Sequence, residues 1–155
     1  MSEATSAERS RLKCSEIMTT SVQTATRETS LRDVSVMMRE GDMGAVPVVD
    51  DGKLVGIVTD RDIVVRGVAD GKTADSTLSE VMTTDLVTVT PDSFVFEAIR
   101  IMGDKQIRRI PVADADGKLA GIISMADVAL QTEDEREIAE AIEEISSGPG
   151  FWGKS

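Results

Sequence analysis

The chain has 155 residues, 41% of them hydrophobic but only 3% aromatic, so it can build one compact domain or two very small ones around an aliphatic core. Its net charge of −11, with 17 scattered Lys and Arg, offers no basic face for nucleic acid or an anionic membrane. It has no histidine and one cysteine, Cys14, which excludes imidazole catalysis, histidine metal sites and an intramolecular disulfide.

Residues 1–13 are rich in Ser, Ala, Glu and Arg and read as a flexible segment rather than a signal peptide. No apolar run approaches the roughly 20 residues that a membrane helix needs, so the expected location is the cytoplasm. A short extended segment follows at Val22–Thr24. Leu31, Val34, Met37 and Met38 then fall at helical spacing. Two β-rich runs come next, Val46–Val49 and Leu54–Thr59, joined by Asp50-Asp51-Gly52-Lys53, a hairpin signal. A helix opens near Arg61.

The same order then recurs. Leu86–Val89 is extended, and Val95, Ala98, Ile101 and Met102 have helical spacing. Ile110–Ala113 and Leu119–Ser124 are β-rich, and a helix opens near Met125. The correspondence is in the letters too. Glu16-Ile17-Met18-Thr19-Thr20 returns 64 positions on as Glu80-Val81-Met82-Thr83-Thr84, and Ala45–Val49 returns at the same offset as Arg109–Ala113. Gly52–Thr59 returns as Gly117–Ser124 at 65, the extra residue falling in the turn at Asp114-Ala115-Asp116. Ordered blocks at one offset mean duplication, and a twofold repeat is expected to pack as a pseudo-symmetric pair, because each copy alone buries too little surface.

Pro47 and Pro111 occupy matching places in the β-runs and point to a strand edge or start. Gly56 and Gly121 imply close approach of another backbone or of a ligand. Beyond the repeats, residues 132–146 read as an acidic helix with Ile138, Ala141, Ile142 and Ile145 in one apolar stripe. Residues 147–155 read as a loose tail.

The initial I-M-T, the P-V-V strand and the run G-K-L-V-G-I-V-T-D-R-D resemble the cystathionine-β-synthase (CBS) domain, and two copies resemble a CBS pair, or Bateman module, of the small stand-alone bacterial kind. The resemblance implies an α+β fold of two tandem βαββα units, repeat 1 at 14–72 and repeat 2 at 76–131. It further implies clefts between the repeats that take an adenosine compound such as AMP, ATP or S-adenosylmethionine, and frequent homodimers. On that basis Asp62 and Asp127 would hold ribose hydroxyls, Thr59 and Ser124 would touch a phosphate or the sugar, and Ile57 and Ile122 would pack near the base. Val46 and Pro47 would wall the Asp127 cleft, and Ile110 and Pro111 the Asp62 cleft. Arg109 would help to hold a phosphate at Asp62, where Arg61 adds a further cation.

The chemistry of these residues suits the roles. A carboxylate accepts the paired hydrogen bonds of a cis-diol, and free N–H groups at a helix start suit a phosphate. The same Thr59-x-x-Asp62 and Ser124-x-x-Asp127 spacing is also that of a capping box, in which hydroxyl and acid serve the helix end. Two function classes therefore stand. One is a nucleotide-sensing regulatory module with no cofactor beyond its ligand. The other is a ligand-free pair serving as a dimer scaffold for a protein partner. Asp60 and Asp62 lack a third ligand at readable spacing, so neither catalysis nor metal binding is expected.

Overall fold

In the computed structural model, residues 12–131 and Glu143 are described. The expected helix at 132–146 and both chain ends fall outside these residues, apart from Leu12, Lys13 and Glu143. In chain order the elements are helices α1 (Cys14–Ile17) and α2 (Leu31–Gly41), strands β1 (Ala45–Asp50) and β2 (Lys53–Thr59), and helix α3 (Asp60–Asp62). A π-helical segment Ile63–Val68 and a 3₁₀ turn Leu78–Glu80 follow, then helix α4 (Val95–Lys105), strands β3 (Arg109–Ala113) and β4 (Leu119–Ser124), and helix α5 (Met125–Gln131).

These elements gather into two units that do not coincide with the two repeats. One, the Asp62 unit, holds Val22–Leu86 with Asp116–Leu119. The other, the Asp127 unit, holds, of the described residues, those up to Ser21, Val87–Ala115 and those from Ala120 onward. The segment that opens each repeat is thus built into the unit of the other repeat.

In the Asp62 unit, α2 starts where the Ser30 hydroxyl accepts the Asp33 N–H at 3.0 Å. It stops at Asp42, which takes the left-handed conformation at φ 49°. Leu31, Val34 and Met38 form its buried stripe. Strands β1 and β2 pair antiparallel through a two-residue turn in which Asp51 and Gly52 both have positive φ, 51° and 80°. That is the turn an Asp-Gly pair favours, because its twist matches the strands. Leu78, Val81 and Met82, from the segment that opens repeat 2, complete this unit's core beside Val46, Val48 and Val58.

The Asp127 unit follows the same plan. Val95, Ala98, Ile99 and Met102 are the buried stripe of α4, facing Ile110, Val112 and Ile123 of the β3–β4 hairpin. Cys14 and Ile17, from the segment that opens repeat 1, fill the remaining space. The methionines at 38 and 102 are core, as an aliphatic interior requires.

Each hairpin is widened by one bridge on either side. Ala25 bridges β1 in parallel, donating to Pro47 O at 2.9 Å and accepting from Val49 N–H at 2.8 Å. Val89 does the same on β3 with Pro111 O at 3.1 Å and Ala113 N–H at 2.9 Å. The expected extended segments Val22–Thr24 and Leu86–Val89 are therefore reduced to single bridges just after and at the end of those ranges. Pro47 and Pro111 sit inside their strands, not at the start. Pro47 is opposite Ile57, whose own N–H and C=O bond to Thr83, so the missing proline N–H costs no ladder bond.

Candidate functional site

β2 alternates. Val58 is fully buried, while Ile57 and Thr59 on the opposite face are half-buried. β4 repeats this with Ile123 inside and Ile122 and Ser124 outside. The four outward residues share a face with the acids that follow them, and Asp62 and Asp127 are half-buried too.

Both hydroxyl–acid pairs close as capping boxes. The Asp62 N–H donates to Thr59 Oγ1 at 3.1 Å, and the Thr59 N–H donates to Asp62 Oδ2 at 3.0 Å. In the other unit the Asp127 N–H donates to Ser124 Oγ at 3.1 Å and the Ser124 N–H to Asp127 Oδ2 at 3.0 Å. The capping reading of the sequence is correct for both. It does not exhaust the acids: a carboxylate offers about four lone-pair sites, and the box uses one.

The backbone donors at the start of α3 are already taken, contrary to the expectation of free N–H groups. The Asp60 N–H bonds Gly44 O at 2.9 Å, the Arg61 N–H bonds Asp60 Oδ1 at 2.8 Å, and the Asp62 N–H is in the capping box. Any anion held here has to be met by side chains.

The glycines are explained by a backbone. Thr83 and Ile57 exchange both hydrogen bonds, at 2.8 and 3.0 Å, and Thr19 and Ile122 do the same at 2.9 and 3.0 Å. A methyl group on Gly56 would stand 3.0 Å from Thr83 O and from Met82 Sδ. On Gly121 it would stand 2.7 Å from Thr19 O and 2.9 Å from Met18 Sδ, closer than real side chains come. The glycines thus admit the Met-Thr segments, and Met18 and Met82 are packing residues.

That arrangement brings in a residue the sequence reading did not select. Thr83 Oγ1 lies 3.5 Å from both carboxylate oxygens of Asp62. Its only sequence signal was membership of the repeated E-x-M-T-T block, which gave no hint of its partner. Val46 and Ile110 are fully buried in their core clusters, and Pro47 and Pro111 are also buried. Arg109 is exposed at the start of β3, and Arg108 beside it gives its carbonyl to the Met125 N–H at 2.9 Å. Arg61 is exposed. Among the described residues, no cluster of three or more acids or cysteines could hold a metal ion.

The family model for the CBS domain matches residues 14–67 and again 78–131. The chain belongs to the CBS domain family. It is 36% identical over 129 residues to the CBS domain-containing protein YhcV of Bacillus subtilis, spanning 83% of this chain and 91% of that protein. Among solved structures it is similar to CBSX2 in complex with AMP, at 28% identity and a TM-score of 0.70, covering 77% of this chain and 94% of the other. It is also similar to the CBS domain pair of protein MJ0100 in complex with 5′-methylthioadenosine and S-adenosyl-L-methionine, at 26% identity and a TM-score of 0.69, covering 76% and 93%. The two matched segments are the two CBS repeats, each ending in one of the hydroxyl–acid corners.

Proposed function

We propose that this CBS pair is a regulatory module of the cytoplasm that binds an adenosine-containing ligand (AMP, ATP or S-adenosylmethionine) at its hydroxyl–acid corners and has no catalytic role. The observation that carries the reading is the duplicated corner. Thr59 with Asp62, and Ser124 with Asp127, stand half-exposed at the ends of β2 and β4, each acid keeping acceptor capacity beyond its capping bond. Similar CBS proteins have been solved with AMP and with S-adenosylmethionine. Ile57 and Ile122 would lie under the base, and the acids would take the ribose hydroxyls. Val46, Pro47, Ile110 and Pro111 would wall the ligand, and Arg109 would serve the phosphate.

Calorimetry with the three ligands tests this. Binding is expected in the micromolar to millimolar range, weakened about tenfold or more when Asp62→Asn and Asp127→Asn are combined, since losing a hydrogen bond to a charged group costs about 1.5–3 kcal/mol. Asparagine retains a capping oxygen, so the fold is kept. The absence of heat for all three at millimolar concentration would reject the reading.

A second reading, a homodimeric scaffold that binds a protein partner, draws on one observation. Val64, Val65 and Val68 in the π-helical segment are 59%, 46% and 69% exposed. Exposed aliphatic side chains this close together favour burial against another molecule. Sedimentation should then give a dimer that Val64→Asp with Val68→Asp converts to monomer; an unchanged dimer would remove this face from the interface.

A further inference from the structure

The Asp62 corner has a cation that its counterpart lacks. Arg66 stands one coil beyond Asp62 in the π-helical segment, and its Nη1 donates to Met82 O at 3.4 Å. The neighbouring residue, Thr83, is the one whose hydroxyl lies 3.5 Å from the Asp62 carboxylate. Successive coils thus turn Asp62 toward Thr83 and Arg66 toward its neighbour Met82. Arg61 makes no such contact, and Arg66 has no ion pair among the described residues. Its bond to Met82 O is long for an N–H···O bond, so the guanidinium is loosely held. In the second repeat the corresponding positions are Ala126 for Arg61 and Gln131 for Arg66, neither of them charged.

This pattern bears on what the corner selects. The N–H groups at the start of α3 are occupied, so they cannot carry a phosphate. Asp62 repels one. An anionic group beside Asp62 therefore needs a side-chain cation on the same face, and a guanidinium meets a phosphate with two parallel hydrogen bonds. We propose that Arg66 is the specificity-determining residue of the Asp62 corner, exchanging Met82 O for the phosphate of a phosphorylated adenosine ligand while Asp62 and Thr83 take the sugar. The Asp127 corner has no cation at the position that corresponds to Arg66. The inference rests on the adenosine-binding reading above.

The experiment titrates the full chain, carrying Asp127→Asn to silence the other corner, with AMP and with adenosine. Arg66→Gln should weaken AMP about tenfold and change adenosine less than twofold, and Arg66→Lys should restore part of the AMP affinity. Equal losses for both ligands, or an unchanged AMP affinity, would overturn the role of Arg66. If Asp62→Asn abolishes AMP binding while Arg66→Gln leaves it intact, Arg66 alone is wrong and the adenosine site stands. If the unsubstituted chain binds neither compound, both readings fall.

Discussion

Cys14 shows what burial does to one side chain. It is 0% exposed, with Sγ 3.8 Å from Phe94 O. Loss of hydration, and then the Glu97 carboxylate, push its thiol from the ordinary 9.0 up to about 11. The folded chain therefore keeps this proton to higher pH than the unfolded chain does. Stability from the neutral thiol is fully present below pH 9 and is lost as pH rises from about 9 toward 11. The urea midpoint should fall more steeply across that window in the unsubstituted chain than in Cys14→Ala; parallel slopes would show that the thiol does not titrate as a buried group. The sequence showed Cys14 only as the chain's one cysteine, because a single residue carries no sign of its burial. Asp62 and Asp127 were more legible, since Thr-x-x-Asp and Ser-x-x-Asp state their own hydrogen bonds. Thr83 was not legible, because its partner lies 21 positions away along the chain, in the preceding repeat.

At the level of elements, periodicity located α2 and α4, and the Asp-Gly turn located the first hairpin. The exchange of opening segments escaped it. Glu16–Thr20 and Glu80–Thr84 each open their own repeat, and apolar spacing does not tell which hairpin an edge segment joins. The exchange makes an unusual prediction. Leu78 is fully buried in the core of the Asp62 unit, and Ile17 is 8% exposed in that of the Asp127 unit. Each truncation to alanine should cost roughly 2–5 kcal/mol. Hydrogen exchange should show Ile17→Ala releasing the amides of Ile123 and Val128 first, in the distant repeat, and Leu78→Ala releasing those of Val48 and Val58. Early loss in the repeat that each residue opens would contradict the exchange. The π-helical segment was also illegible. Ile63-Val64-Val65 reads equally as helix or strand, and its wide coil shows only in bonds such as Ala69 N–H to Val64 O at 2.9 Å.

For the whole molecule, duplication supplies two chemically similar corners and then lets them diverge. Both keep the hydroxyl, the acid, the aliphatic residue two places before the hydroxyl and the glycine that admits a Met-Thr segment. Arg61 and Arg66 accompany only the first. The chain is acidic overall, so the proposed adenosine ligand would be recognised by local groups rather than drawn in by a general field. The most direct test is an amide NMR titration of the full chain with AMP. Shifts should concentrate at Ile57–Asp62, Thr83 and Ile122–Asp127, and vanish in the Asp62→Asn, Asp127→Asn double variant. A spectrum unmoved at millimolar AMP, or shifts confined to other residues, would contradict an adenosine-binding role for these corners.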